Sequence, residues 1–382
     1  MTEAHTTISI PAHGGQLAQI SRRVGIPESE LLDFSTNLNP NGPPSGVFQA
    51  LSNALTRPEV IRDYPDLELL ELRSALASYT AVGAENIVIA NGVVPLLEAA
   101  LRAARVKKCL LLLPAFSEYR KTLTRCGIEV RAYLLEPQAG FRVDCANVIT
   151  KVTDQQCDAI LLANPQNPSG VIVDRESLLQ MTRHASECGA KVFLDEAFID
   201  YLPAESLSSI APLLPNLVVF RSLTKFFALA GLRIAYAIAG SRFADEIREG
   251  ISPWPVSSLA VEAARVALED EEYRNISRLE NKRERKFLKN ELDKLKLQSF
   301  ESKANYLLLR LPLNRKSSEV WEKLIVSHGI VTRCCDNFEG LSGPHLRIAV
   351  KSRKDNVQLV YALASLFPTM EAPLRSSGMR LF

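Results

Sequence analysis

With 382 residues, 47% of them apolar, the chain can bury one large core and a smaller companion. A formal charge of +2 excludes a broad basic field for nucleic acid or membrane, so an anionic ligand must be met by individually placed arginines. Seven irregularly spaced cysteines form neither a zinc pattern nor a disulfide framework and read as reduced thiols, while the absence of a basic-then-apolar N-terminus and of any span-length apolar run points to the cytoplasm.

Residues 1–45, with His13-Gly14-Gly15, read as an arm that joins a small domain. Residues 85–107 read strand, turn, helix: ENIVIA is short and β-branched, Asn91-Gly92 turns the chain, and PLLEAALRAARV has helical spacing. KKCLLLLP, IEVRAYLL, CDAILLANP, AKVFLDEAF, NLVVFRSLTK and LRIAYAIAG follow as apolar strands separated by helical or loop segments. This alternation predicts an α/β fold with a mostly parallel, helix-covered sheet over about residues 80–240. After Pro253 and Pro255, LENKRERKFLKNELDKLKL predicts a long helix with Leu288, Leu292 and Leu295 on one face and its charges solvated. ANYLLLRL, a helix around SSEVWEKLIVSHG and the strand LRIAV then suggest a small α+β domain. The expected division is 1–45 (arm, part of the small domain), 46–255 (large domain) and 256–382 (small domain).

The chemistry-bearing residues sit at strand ends. Lys225 follows the strand NLVVF in Arg221-Ser222-Leu223-Thr224-Lys225, and a buried amine there is costly when charged but forms an imine with an aldehyde. Taken alone, such a lysine is more often a solvated turn residue. Ser222 and Arg233 would bracket a phosphate. Asp195, ending an apolar strand, needs a cationic partner, for which a protonated pyridine nitrogen serves, or else it caps the following segment. Asn167, in the turn Asn164-Pro165-Gln166-Asn167-Pro168, could hydrogen-bond a ring oxygen or simply build the turn. Asn91-Gly92 at a helix N-terminus is an anion site in principle, although Val93, Val94 and Pro95 add no hydroxyl and Pro95 no N–H. Phe116 could stack on a ring or fill core, and Tyr64 could reach a phosphate or pack in a turn. No G-x-G-x-x-G follows any strand, which argues against a dinucleotide enzyme, and no appended helix-turn-helix region supports a non-catalytic regulator.

In this order and spacing the motifs resemble the fold-type-I pyridoxal-phosphate enzymes of the class I/II aminotransferase superfamily, over nearly the whole chain. Within it they look most like the threonine-phosphate decarboxylases of cobalamin synthesis, next the histidinol-phosphate aminotransferases, through His13-Gly14-Gly15, FSTNLNPNGPP, PAFSEYRKTL, DEAFIDY, RSLTKFFALAGLRIAY, PWPVSS and TRCCDNFEGLSGPHLRIAV. The resemblance implies an aspartate-aminotransferase-like fold and pyridoxal 5'-phosphate as cofactor. It implies Lys225 as the covalent attachment point, Asp195 beside the pyridine nitrogen, Asn167 on the ring oxygen and Phe116 stacked on the ring. Asn91, Gly92, Ser222 and Arg233 would hold the cofactor phosphate, with Tyr64 reaching over from the second subunit of a homodimer. Arg347 would take the substrate carboxylate, Arg333 and His13 the substrate phosphate, and Asn39 would lie near the substrate, with no metal required. The sequence departs from the family at Val93 and Val94, where a hydroxyl or acid is usual, and at Phe198, where many aminotransferases carry a tyrosine. The implied reaction is decarboxylation of O-phospho-L-threonine or O-phospho-L-serine. Transamination of a substrate such as histidinol phosphate is the alternative, because the two differ only in which α-bond is held perpendicular to the ring.

Overall fold

The computed structural model describes residues 10–368; the remaining residues of the expected arm and C-terminal domain lie outside the described residues. A short strand β1 (Leu32–Asp33) precedes seven strands of one sheet: β2 (Ile87–Ala90), β3 (Lys108–Leu113), β4 (Glu129–Leu134), β5 (Ala159–Ala163), β6 (Lys191–Asp195), β7 (Leu217–Ser222) and β8 (Ala235–Ile238). Their order is β2-β8-β7-β6-β5-β3-β4, with β8 antiparallel to both neighbours and the other pairings parallel. The expected α/β fold of the aspartate-aminotransferase type, with its mostly parallel sheet, is therefore present.

Both faces of this sheet are buried, which is why its strands are apolar throughout rather than alternating. Successive side chains nevertheless part to opposite sides. Ile87, Ile89, Leu110, Leu112, Val192 and Leu194 join a core covered by the helices Leu70–Thr80, Cys145–Gln155, Arg175–Glu187 and Ser258–Glu269. Val88, Cys109, Leu111, Leu113 and Phe193 face the helices Val93–Ala103, Ser117–Arg125 and Ser241–Glu249. β4 differs: its residues are mostly exposed, and Glu129 and Arg131 there suit an edge strand that must not recruit another.

A separate core includes residues of β10 (Tyr306–Arg310), β11 (Ile330–Val331), β12 (Arg333–Cys334) and β13 (His345–Ala349), with the polar β9 (Gln298–Ser299) beside it. β9, β10, β12 and β13 form an antiparallel sheet in the order β12-β13-β10-β9, while β1 pairs in parallel with β11. The pairing of Leu32 with Ile330 and of Asp33 with Val331 ties the N-terminal segment to the C-terminal one. The charged helix runs from Glu271 to Lys294 with Leu288 and Leu292 buried, but Glu284, expected on its solvated face, is 4% exposed. Arg353 Nε (2.8 Å), Arg283 Nε (3.0 Å) and Asn356 Nδ2 (3.3 Å) donate to its carboxylate, which is how a charge is tolerated there. All seven cysteines are free, and no helix among the described residues is long and apolar enough to cross a membrane.

Candidate active site

β2, β3, β5, β6 and β7 run in one direction, so their C-terminal ends share one edge of the sheet, and the antiparallel β8 begins there. Crevices at such ends are where open α/β sheets bind ligands. Asn91-Gly92 follows β2, Phe116 lies beyond β3, the 164–170 turn follows β5, Asp195 ends β6, Ser222 ends β7, and Arg233 precedes β8. Together with Lys225, His13, Arg333 and Arg347, these residues line one cleft of about 420 Å³. A hollow of about 980 Å³ around Arg221, Arg274 and Arg278 is larger but holds neither Lys225 nor Asp195.

Strand periodicity sorts the adjacent acids. Asp195 faces the cleft, whereas Glu196 turns to the other side of the sheet, accepting from Leu207 N at 2.8 Å and Ser206 Oγ at 2.5 Å. Burial raises the Asp195 pKa, opposed by the Tyr119 hydroxyl, the Ala197 N–H and the charge of Lys225. Burial first, then Arg347 and Arg233, brings the Lys225 amine down to about 8 against the pull of Asp195. An amine in that range is partly neutral near pH 7 and can attack an aldehyde.

The cleft wall beside β2 is shaped by glycine. Gly92 adopts φ +94°, and a Cβ there would stand 3.1 Å from Arg233 Nη2. Arg233 itself holds a left-handed conformation at φ 60°, a strain of about 1–2 kcal/mol for a residue with a side chain, which aims its guanidinium at this turn. Ser222 Oγ and Thr224 Oγ1 lie 2.8 Å apart and complete a set of hydroxyl and guanidinium donors.

The four-stranded sheet supplies the opposite wall. Arg333 and Arg347 are direct cross-strand partners on β12 and β13, so both guanidinium groups lie on one face, and both are buried. Arg347 Nη1 donates to Asn167 Oδ1 at 2.6 Å and Nη2 to the Ser35 carbonyl at 3.0 Å, leaving Nε without a partner. Since Asn167 spends its oxygen on Arg347, its amide N–H groups are the donors left for a ligand. Arg333 Nη2 reaches the Ala12 carbonyl at 2.8 Å and Asn337 Oδ1 at 2.6 Å, so it clasps the arm. His13 Nε2 lies 3.2 Å from Glu118 Oε1, with its ring 5.8 Å from Phe116.

One expected residue is elsewhere. Asn39 does not line the cleft: its N–H donates to the Lys225 carbonyl at 3.0 Å and its side chain to Ser277 Oγ at 2.7 Å, behind the lysine. The turn after Phe34 sends Ser35, Thr36 and Asn37 into the cleft instead. Tyr64 is 79% exposed, stacked on Trp254 at 4.4 Å, and outside its own chain's cleft. Tyr119, Glu118, Thr224 and Asn337 line the cleft although the sequence assigns no role to any of them. The spacing of Phe116 and Tyr119, three apart at a helix start, was the available signal for one of these.

Residues 29–366 match the family described as aminotransferase class I and II. The chain belongs to that family. As a class I/II aminotransferase-family member it is 32% identical to the threonine-phosphate decarboxylase of Salmonella typhimurium, over 93% of this chain and 96% of that one. The solved histidinol-phosphate aminotransferase of Clostridium acetobutylicum is 30% identical and superimposes with a TM-score of 0.79, covering 88% of this chain and 99% of that one. The histidinol-phosphate aminotransferase of Sinorhizobium meliloti, solved in complex with pyridoxal-5'-phosphate, shares the fold at a TM-score of 0.80 and 22% identity, over 94% of this family member and 98% of that chain.

Proposed function

We propose that the protein is a pyridoxal-phosphate-dependent decarboxylase acting on O-phospho-L-threonine, with O-phospho-L-serine as a close variant, and that its amino-alcohol phosphate product serves cobalamin side-chain synthesis. The cofactor suits the residues present. A partly buried amine stands near a buried carboxylate, the Gly92 turn is a cradle that a Cβ would crowd against Arg233, and the Asn167 amide is available to a ring oxygen. When bound, pyridoxal phosphate supplies an electron sink for the pair of electrons left at the substrate α-carbon.

The observation that carries the substrate class is the pairing of Arg333 with Arg347. Like charges directly opposite on neighbouring strands repel, and two anions on one substrate would relieve this while using both forks. In this reading Arg347 holds the α-carboxylate, with its free Nε as a donor, and Arg333 with His13 holds the side-chain phosphate. Phosphate would compete with the Pro11 and Ala12 carbonyls for Arg333, so the arm must readjust around the ligand. Lys225 Nζ would return a proton to the substrate α-carbon from which carbon dioxide is lost. Asp195, Asn167, Phe116, Ser222, Arg233, Asn91 and Gly92 are the cofactor-holding set. Phe198 packs edge to face on Tyr306 at 4.9 Å and offers no hydroxyl to the cofactor ring.

Seven free thiols support a reducing compartment, the cytoplasm. The proposed division is 1–45, 46–255 and 256–382, with the arm joined to the C-terminal part through β1 and β11 and with the helix Ser258–Glu269 packing back on the core of the large sheet. Transamination of a phosphorylated amine is the second reading, favoured by the similarity to the Clostridium acetobutylicum enzyme. Incubating cofactor-loaded enzyme with O-phospho-L-threonine, O-phospho-L-serine and histidinol phosphate, with Lys225→Ala as control, separates the two. Catalytic carbon dioxide release supports the decarboxylase, whereas conversion of the cofactor to its amine form without carbon dioxide makes the protein an aminotransferase.

A further inference from the structure

Asp195 is gripped by two neutral donors before any cation reaches it. The Tyr119 hydroxyl donates to Oδ2 at 2.5 Å and the Ala197 N–H to Oδ1 at 2.8 Å. Asp195 is 7% exposed and Tyr119 3%, so losing either bond would leave the carboxylate short of a donor in a largely desolvated setting. Tyr119 sits on the first turn of the helix Ser117–Arg125, its N–H donating to the Phe116 carbonyl at 3.0 Å. The rings of Phe116 and Tyr119 meet edge to face at 5.6 Å, and both side chains line the cleft. One helical turn thus carries the ring proposed to stack on the cofactor and the hydroxyl that holds the acid.

We propose that Tyr119 is a positioning residue for Asp195: its hydroxyl stabilises the carboxylate as an anion and fixes which oxygen edge faces the cleft, so that the cofactor's ring nitrogen meets a negative charge of set orientation. This rests on the pyridoxal-phosphate reading above. A buried carboxylate otherwise drifts toward its neutral form, and an acid that has taken a proton no longer attracts a protonated ring. Burial and the neighbouring carboxylate hold the phenol far above its ordinary pKa, so Tyr119 remains a donor and does not become a second anion. Glu118, beside it on the same turn, points instead to Lys121 at 2.7 Å and His13 at 3.2 Å, leaving Tyr119 as the side-chain donor to Asp195.

The test is an acid titration of the holoenzyme, reading retained cofactor by absorbance after rapid desalting. Acidification protonates Asp195 while the ring nitrogen is already protonated, which removes their attraction and releases cofactor. Tyr119→Phe makes Asp195 easier to protonate, so the release midpoint moves to higher pH by about one unit, a tenfold change in proton affinity. In an Asp195→Asn background the same Tyr119→Phe change leaves the midpoint where it was. Tyr119→His, which retains an N–H donor, shifts it less than the phenylalanine does and covers the case in which Tyr119→Phe does not accumulate as folded protein. An unmoved midpoint in folded Tyr119→Phe, or an equal shift with Asn at 195, overturns the assignment and makes Tyr119 a packing residue. Failure of the wild-type protein to take up cofactor at all would instead overturn the functional reading beneath it.

Discussion

An amine with a pKa of about 8 is chemically different from one at its ordinary 10.5. Near pH 7 about a tenth of it is neutral, against fewer than one molecule in a thousand for a solvated lysine. The rate at which apoprotein captures the pyridoxal-phosphate aldehyde should therefore climb about tenfold per unit below pH 8 and level off above it. Arg347 contributes to the lowering, so Arg347→Met should move the inflection upward, toward the ordinary lysine value. Stopped-flow absorbance at a series of pH values checks both. An inflection near 10 in the unmodified protein would mean that Lys225 is solvated. The same substitution also removes the proposed carboxylate fork, and a loss of substrate affinity of tenfold or more should accompany it, since Arg347 is buried and bonded to Asn167.

At the scale of elements, the approach of the β2 turn to Arg233 is the feature least tolerant of change. Gly92→Ala forces a side chain into φ +94° and sets a methyl 3.1 Å from Arg233 Nη2, so one of the two must shift. The expected outcome is loss of about 1–2 kcal/mol in stability and at least tenfold faster cofactor dissociation, measured by thermal unfolding and by cofactor release into excess trap protein. Unchanged retention would show that this turn does not hold the phosphate. Elements of this kind are readable from the sequence because a strand buried on both faces leaves an apolar run ending in a turn, and each of the seven runs is a strand of the sheet, the mostly exposed edge strand β4 included. What was not readable depends on side-chain direction in irregular backbone. The segment after Phe34 could send either Asn37 or Asn39 inward, and only the fold shows Asn39 turned back to Ser277 and the Lys225 carbonyl. Glu284 lay in a charge run whose periodicity says nothing about Arg353 arriving from a distant helix. The meeting of Arg333 with Arg347 requires the register of β12 against β13, which no local pattern encodes.

On the scale of the whole molecule, one chain gathers its cleft from three places: the edge of the large sheet, the four-stranded sheet and the arm. It also leaves large apolar side chains exposed between residues 48 and 70, Phe48 (64%), Ile61 (68%), Tyr64 (79%) and Leu70 (61%), with Tyr64 stacked on Trp254. So many large apolar side chains in one stretch are costly in water and suit a surface that pairs. The homodimer that the family resemblance implies would close through this stretch, each copy lending Tyr64 to the phosphate end of the other's cleft. Sedimentation of the protein should then give about twice the 42.2 kDa of one chain. Ile61→Asp with Leu70→Asp should yield monomers that bind cofactor more weakly, because a charge placed in a buried interface has no partner. Tyr64→Phe separates assembly from chemistry: the dimer should persist while cofactor dissociates several-fold faster. A dimer that keeps full cofactor affinity without the Tyr64 hydroxyl would leave that residue a packing role only, whereas a wild-type monomer with a working site would mean that the exposed stretch meets some other partner.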